Sequence, residues 1–561
     1  MMRAFLVASL FLTSPGPVRS HEGRPDRARP TRPPEYLGIG WEASGKNGAV
    51  VAGGAEATAA GMEILKEGGN AIDSAVATLL AMSVTDAHLF CFGGEVPILI
   101  YDADRGVVEA IAGQGAAPRL ATRAHFEEEG GIPEEGIEAA AVPAALDACL
   151  TALGRSGTLT FGRVAGPTLR ILDRGEQPWH ADLARTLRTL IEAEERSDDR
   201  LRGLRLVSDC FYRGPIARRI DAWSRANGGL IRYEDLATHA SRVEEPVAVD
   251  YRGYRVYKVG PVTQGPALLQ ALTILGGFDL AGAGPDSPDA IHLQVEALKL
   301  AMADRDEYYA DPLFEQVPID ELLSDDYASS RRSLIDPRVA SLERRPGDPA
   351  SGGPLLEPGR SAVQLGRTQP SSDTTTCVVA DAGGNVVAAT PSGWSGVLAG
   401  DTGIWLGSRL QSFNTWEGHP NVIEPGKRPR ITLTPTIVTK DDRPVIAVSI
   451  AGGDAQDQAT LQLLTNVIDF GRSASEAVTS PRFNSEHLVG SFGQPPPRLG
   501  VLRLSTEVAD EVAEELEARG HLVERARPPV ASNPTILVLD PDSGVIEAAG
   551  DPAARRHAGA Y

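Results

Sequence analysis

The sequence predicts a layered α/β fold, and three observations carry that expectation. Amphipathic helical stretches alternate with short runs of β-branched residues, two helical blocks follow one another early in the chain, and glycine and proline are in surplus. The 59 glycines and 41 prolines make up about 18% of the 561 residues, against an average of about 12%. That surplus predicts many tight turns and close backbone approaches. The chain becomes globular from Val50. Gly68, Gly69 and Asn70 stop one helix and start another, in which Ile72, Ala75, Val76, Leu79 and Leu80 share a face. Residues 96–101 read as a buried strand with Pro97 near its start, followed by a turn. Residues 144–153, 164–172 and 290–303 read as helices; in the last, Ile291, Val295, Leu298 and Met302 form the stripe. Near the end, Val508, Val512 and Leu516 mark a helix stopped by Gly520. Gly53-Gly54 and Gly93-Gly94 read as tight turns.

Composition excludes several classes. A hydrophobic fraction of 42% is too high for a disordered chain. A net charge of −21 argues against nucleic acid and anionic membranes as partners, since both reward clustered Lys and Arg. No apolar run reaches the roughly 18 residues of a membrane span. Ten histidines without an HExxH or paired HxxH spacing, and four distant cysteines, offer no metal site, and no cofactor motif is present. Residues 1–20 read as a secretory signal: Arg3, an apolar core over 4–13, then small residues at Val18 and Ser20. Residues 21–36 follow as a Pro/Arg-rich linker, and the location expected is secreted or periplasmic. Cys91, Cys149, Cys210 and Cys377 are able to pair there, but nothing in their spacing asks for it, and buried free thiols are the expectation.

Residues 344–373 break the pattern. They are rich in Pro, Gly, Ser and Arg, and read as a mobile connector between a region at 37–343 and one at 374–561. Strand-like sequence returns abruptly at Thr374. Residues 374–380 and 386–392 are two strands of a hairpin with turn chemistry at 381–385. With the turn centred on Gly383, Asp381 faces Asn385 and Thr374 faces Ser392. Facing residues hold their Cβ atoms about 4.5–5.5 Å apart, so two hydroxyls meet at the open end. A slip of one residue would put them on opposite faces. Such pairs are common sheet stabilisers, and the hairpin alone says no more. What sets this one apart is a connector running into a Thr at a strand start. A self-cleaving precursor needs that arrangement: the Thr hydroxyl attacks the preceding carbonyl, the peptide shifts to an ester, and water frees a new N-terminal Thr whose α-amine serves as base.

These residues also carry a resemblance. Residues 68–77 (GGNAIDSAVA), Val142-Pro143 with Gly157-Thr158-Leu159, Tyr251 to Tyr254, Gly265, and Val295-Glu296-Ala297 with Ala303-Asp304-Arg305 resemble blocks of the γ-glutamyltranspeptidase (glutathione hydrolase) family. So do Arg428-Pro429, residues 434–437 (TPTI), Ala451-Gly452-Gly453, residues 480–483 (SPRF), Gly550-Asp551-Pro552 and the terminal Gly559-Ala560-Tyr561, all in the family's order from about residue 37 to the end. The resemblance implies an N-terminal-nucleophile hydrolase with a four-layer αββα sandwich. It implies a precursor cut between Asp373 and Thr374 into large and small subunits that stay together in one domain. Thr374 would be the nucleophile, Ser392 would take the place of the family's second threonine, and Gly452 and Gly453 would offer N–H groups to the oxyanion. The activity implied is cleavage of γ-glutamyl or related acyl amides through an acyl-threonine, resolved by water or an amine.

The substrate positions depart from the family. The arginine that clamps the carboxylate falls at Gln114 and the adjacent glutamate at Gly115; the asparagine after the second threonine falls at Trp394; the aspartates that hold the amine fall at Gln411 and Ser412; the serine pair falls at Ile431 and Thr432. Losing an Arg fork removes bidentate recognition of a carboxylate. A less charged, more apolar acyl pocket is the expectation, similar to the cephalosporin-acylase side of the family. Arg409 is a carboxylate partner in reserve. An uncleaved, non-catalytic binding protein is the remaining alternative.

Overall fold

The computed structural model describes residues 39–356, 374–530 and 532–561. The signal at 1–20, the linker at 21–36, Asp373 and the connector from 357 onward lie outside these residues.

Two antiparallel sheets, seven strands each among the described residues, stack face to face. The first runs in the order His557–Ala560, Gly48–Ala52, Cys377–Asp381, Val386–Ala389, Ile98–Asp102, Val107–Ala112, Arg242–Glu244. The second runs Glu42–Gly45, Val545–Gly550, Asn533–Asp540, Arg443–Ala451, Thr436–Lys440, Tyr254–Lys258, Val247–Tyr251. Each sheet takes strands from both sides of residues 357–373.

The pleat explains the layers. Successive side chains along a strand point to opposite faces, and here both faces are apolar. Cys377 and Val379, with Val387 and Ala389, point into a core under the helices Ala55–Lys66 and Ala71–Thr85. Val378, Ala380, Val386 and Ala388 point the other way, into a core between the sheets shared with Ala447 and Leu537. On the far side, Ile446, Val448 and Ile536 meet Leu268, Leu272 and Leu298 of the helices Pro266–Leu275 and Pro288–Tyr308. Helix, sheet, sheet and helix are thus joined by three apolar interfaces, the αββα sandwich expected. With about 1.5–3 kcal/mol at stake for each large buried aliphatic side chain, a one-residue slip of a central strand would misplace its whole set.

The strands expected at 374–380 and 386–392 run only over Cys377–Asp381 and Val386–Ala389, and the other local expectations hold with three differences. Asn70 caps the second helix, its Oδ1 accepting the Ile72 and Asp73 N–H groups at 3.1 and 3.0 Å while Asp73 accepts from Asn70. That helix, however, is buried all round rather than on one face, because Ala55–Lys66, Phe161–Asp173 and the first sheet enclose it. The strand expected from 96 begins at Ile98; Pro97 stays outside it, since it has no N–H for the ladder. The described part of the connector, 344–356, is tied down rather than mobile. Arg344 meets Glu307 at 3.0 Å, Arg345 meets Glu296 at 2.9 Å, and the Gly347 N–H donates to Asp304 at 2.7 Å. Its loop-like composition hid arginines that find carboxylates on the Pro288–Tyr308 helix.

None of the four cysteines is in a disulfide among the described residues. Cys91, Cys149 and Cys377 are buried, and Cys210, expected to be buried too, is half-buried. Burial pushes the Cys149 thiol up to about 12, which makes it inert. No helix among the described residues is long and apolar enough to cross a membrane.

Candidate active site

The hairpin forms in the register read from the sequence. Cys377 pairs with Ala389, Val378 with Ala388 and Ala380 with Val386, and Thr374 bridges Ser392 beyond the last ladder pair. The two hydroxyls lie 3.2 Å apart, Thr374 Oγ1 to Ser392 Oγ, and both residues are buried. Burial matters because a hydroxyl shut away from water depends on the partners the protein gives it.

A second strand end lies beside this one. Thr390 Oγ1 and Ser449 Oγ are 3.0 Å apart, and Ser449 donates to the Ala389 carbonyl at 2.8 Å, so Val386–Ala389 is stitched across the sandwich to Arg443–Ala451. That strand runs straight into Gly452 and Gly453, with φ of +148° and +56°. Side chains are strained at such angles and glycine is not. The two N–H groups take no acceptor among the described residues, which leaves them available to an oxyanion. A Cβ on Gly453 would come within 3.2 Å of the Phe492 ring. The turn is braced from below: Asp454 pairs with Arg305 at 2.6 Å and accepts the Ser491 N–H at 2.8 Å. Burial works against the Arg305 charge, but Asp306 and Asp454 outweigh it and raise its pKa.

Arg409 joins the two parts. It donates to Ser392 Oγ at 2.6 Å, ion-pairs with Glu95, and lies over the Phe492 ring at 5.6 Å. Thr374, Ser392, Arg409, Phe492 and Gly453 thus form one continuous set of contacts. Glu95 and Phe492 were not singled out from the sequence. Glu95 is brought in by pairing its backbone with Ser392, a register no local motif records.

The six expected substrate positions divide. Gln411 lies next to the set, its carbonyl accepting from Gly493 at 3.5 Å and its amide donating to Ser408 at 3.1 Å. Gln114 and Ile431 meet at Val262, whose carbonyl accepts from both, at 3.2 and 3.1 Å. Trp394 is half-buried and packs on Trp405, ring centroids 4.4 Å apart. Gly115 has no room for any side chain, because a Cβ would fall 1.9 Å from the Val142 carbonyl. Four of the six positions are polar. Gln114 Oε1, Gln411 Oε1, Ser412 Oγ and Thr432 Oγ1 are all buried polar atoms without a hydrogen-bond partner among the described residues. None of the six positions carries a charge, and four of them hold a buried polar atom.

Among the described residues one metal-like grouping occurs, of His292, Glu296 and His521. Lys299 and Arg345 already hold the Glu296 carboxylate at 2.6 and 2.9 Å, and two cations beside it oppose a metal ion.

The family model for gamma-glutamyltranspeptidase matches residues 57–199 and 170–561. An acylase ACY 1 proenzyme from a Pseudomonas species is 34% identical over 90% of this chain and 92% of its own. A glutathione hydrolase proenzyme from Escherichia coli is 31% identical over 94% of both chains. The crystal structure of a cephalosporin acylase from Bacillus halodurans superposes with a TM-score of 0.77 at 27% identity, covering 96% of this chain and 99% of that one. The chain belongs to the γ-glutamyltranspeptidase family and is an enzyme of its hydrolase and transferase class.

Proposed function

We propose that the chain is a precursor that cuts itself between Asp373 and Thr374 and then cleaves amide bonds with Thr374 as nucleophile. In the first event Thr374 Oγ1 attacks the carbonyl of residue 373, the C–N bond breaks as the peptide becomes an ester and frees the α-amine of Thr374, and water then hydrolyses the ester, releasing the fragment that ends at residue 373 and restoring the hydroxyl. In turnover the amine takes the hydroxyl proton as Oγ1 attacks the substrate carbonyl. The oxyanion receives hydrogen bonds from Gly452 and Gly453, the substrate amine leaves with the proton, and water or a second amine resolves the acyl-threonine. The observation that carries this reading is the 3.2 Å contact between Thr374 and Ser392, in an isolated bridge just before the strand Cys377–Asp381. The large and small fragments stay together because each sheet takes strands from both. The signal reading of residues 1–20 makes the site of action secreted or periplasmic; a mature N-terminus at His21 in an exported fraction tests that.

The acyl group is recognised by neutral hydrogen-bonding groups. The four orphaned polar atoms at Gln114, Gln411, Ser412 and Thr432 favour this, and so does the absence of acidic or basic side chains at the six positions. An amide with an uncharged polar acyl chain therefore fits better than a γ-glutamyl group, which brings both an ammonium and a carboxylate. A panel of p-nitroanilides tests the choice, offering γ-glutamyl, glutaryl and uncharged acyl groups to the processed protein. Faster turnover of the uncharged member is expected. Turnover of the γ-glutamyl compound alone overturns the substrate assignment.

A further inference from the structure

Phe492 lies between the glycine turn and Gln411, and the chemistry set out above gives it no task. It belongs to the crossing 489–494, which is fastened on both sides of it. The Val489 N–H donates to Asp306 at 3.1 Å, and the Val489 carbonyl accepts from Arg305 at 2.7 Å. Ser491 gives both its N–H and its hydroxyl to Asp454, the residue after the glycine pair, at 2.8 and 2.5 Å. Beyond Phe492, the Gly493 N–H reaches the Gln411 carbonyl at 3.5 Å. Gln494 follows at φ +45°, with its amide on the Ser491 carbonyl at 3.0 Å. A side chain other than glycine is uncommon at such an angle, and the surrounding bonds have to hold it there. The backbone is therefore kept to one path, and it presents the Phe492 ring beside Gly453.

That ring is half-buried and belongs to none of the apolar clusters among the described residues. One edge faces the turn, where a Cβ on Gly453 would stand 3.2 Å from Phe492 Cε2, and the Arg409 guanidinium lies over the ring at 5.6 Å. A large aromatic side chain left half in water forgoes much of the burial that would stabilise the fold. Beside an oxyanion turn, the surface it keeps open is surface for a substrate to cover.

We propose that Phe492 is a specificity-determining residue, the wall on which the first carbons of the acyl chain lie. The substrate class that fits is an amide whose acyl group is apolar, and best aromatic, beside the scissile carbonyl and carries uncharged polar atoms further out. This deepens the reading above and rests on Thr374 as nucleophile and on Gly452 and Gly453 as oxyanion donors. The path of the chain follows from the turn. An oxygen held by the two glycine N–H groups leaves the acyl α-carbon one bond from the attacked carbon, so the chain has to pass a neighbour of the turn. Phe492 is that neighbour, and it is tied through Gly493 to Gln411, whose Oε1 is buried without a hydrogen-bond partner among the described residues. A flat carbon skeleton gains contact area and an offset stack on the ring. A γ-glutamyl chain passes the ring as readily but brings its two charges to an uncharged end.

The experiment compares wild type, expressed as the full chain, with Phe492→Ala, Phe492→Leu and Thr374→Ala. It follows precursor cleavage by denaturing electrophoresis, and kcat and KM on acetyl, phenylacetyl and γ-glutamyl p-nitroanilides and on phenylacetamide, whose leaving group is ammonia. Wild type is expected to prefer the phenylacetyl to the acetyl compound. In Phe492→Ala, KM rises at least about tenfold for phenylacetyl substrates with either leaving group while kcat holds, and acetyl kinetics move less than about threefold. Phe492→Leu falls between, because it keeps apolar bulk without a flat face. Precursor cleavage keeps its wild-type rate, since its acyl group is already held in the chain. Equal losses on acetyl and phenylacetyl compounds, or slowed precursor cleavage, overturn the proposal, because they mark a ring that only supports the turn. So does a loss on the phenylacetyl p-nitroanilide that phenylacetamide does not share, which places the ring on the leaving-group side. So does a wild type that turns over the γ-glutamyl compound alone. If circular dichroism shows Phe492→Ala unfolded, the acetyl-to-phenylacetyl ratio of Phe492→Leu decides. Cleavage and turnover by Thr374→Ala would instead sink the assignment of the nucleophile itself, and the proposal with it.

Discussion

Gly94→Ala places a single methyl group where it must move Ser392. A Cβ at that position would stand 2.4 Å from the Ser392 carbonyl oxygen and 3.0 Å from that of Cys91, both backbone atoms. Gly94 has little freedom to retreat: its N–H donates to Cys91 at 2.9 Å, and its carbonyl accepts from Ala144 and Ala145 at 3.0 and 2.9 Å. Ordinary contact begins at about 3.4 Å, so the Ser392 carbonyl has to withdraw by about 1 Å. The 3.2 Å contact to Thr374 then passes out of hydrogen-bond range. Overpacking of this kind costs about 1–3 kcal/mol of stability, and a misplacement of about 1 Å at a reacting group costs about a hundredfold in rate. The assay is a time course of precursor cleavage by denaturing electrophoresis, with circular dichroism to establish folding. Gly54→Ala is the control, since its Cβ would meet nothing closer than Asp86 Oδ2 at 3.5 Å. A folded Gly94→Ala protein cleaving at the wild-type rate would refute the coupling of this glycine to the nucleophile.

Other consequences are open to measurement. Asp457→Asn leaves the fully buried Lys258 ammonium, 2.8 Å away, without its counter-charge; a loss of about 3–5 kcal/mol in urea unfolding is expected, and a loss under about 1 kcal/mol would contradict the ion-pair reading. Burial, helped by Lys299, pushes the His487 pKa down to about 4, so the unfolded chain binds its proton first as pH falls. The stability it contributes is complete above the unfolded value of about 6.5 and is lost on acidification through about 4, at about 1.4 kcal/mol per pH unit. His487→Asn keeps an acceptor for the Gly500 N–H; its melting temperature should fall less steeply between pH 6.5 and 4, and an unchanged slope would show that His487 is not the titrating group.

The fold was legible wherever local pattern and global layer agree. The hairpin at Thr374 could be read to the residue because its turn is compact and its strands are β-branched, so the pairing of Thr374 with Ser392 followed from counting. The stripe Ile72, Ala75, Val76, Leu79 and Leu80 correctly marks a helix, which is buried all round rather than on one face because its polar positions, Asp73, Ser74 and Thr78, satisfy themselves inside the protein. What sequence could not supply were contacts made by register across the sheet. Glu95 reaches Ser392 from almost three hundred residues away. The glycines at 53 and 93–94 read as turns, yet Gly53 lies where a Cβ would meet Thr375 Oγ1 at 2.0 Å, and Gly93 and Gly94 where it would meet the carbonyls of Trp405 and Ser392, each at 2.4 Å. Their role is close approach, which depends on the partner chain segment and leaves no local signature. That Gln114, Gln411 and Ser412 carry no charge is visible in the sequence; that they hold buried polar atoms without a partner among the described residues is not.

The central claim is that Thr374 becomes an N-terminus and a nucleophile. N-terminal sequencing and intact mass of the purified protein, beside Thr374→Ala, test it most directly. The account predicts two fragments, the smaller beginning at Thr374 and acylated on that residue during turnover of a slow amide substrate, and a Thr374→Ala chain that stays whole and inactive. A wild-type protein that remains a single chain while turning over amides, or a smaller fragment beginning at any other residue, would contradict it.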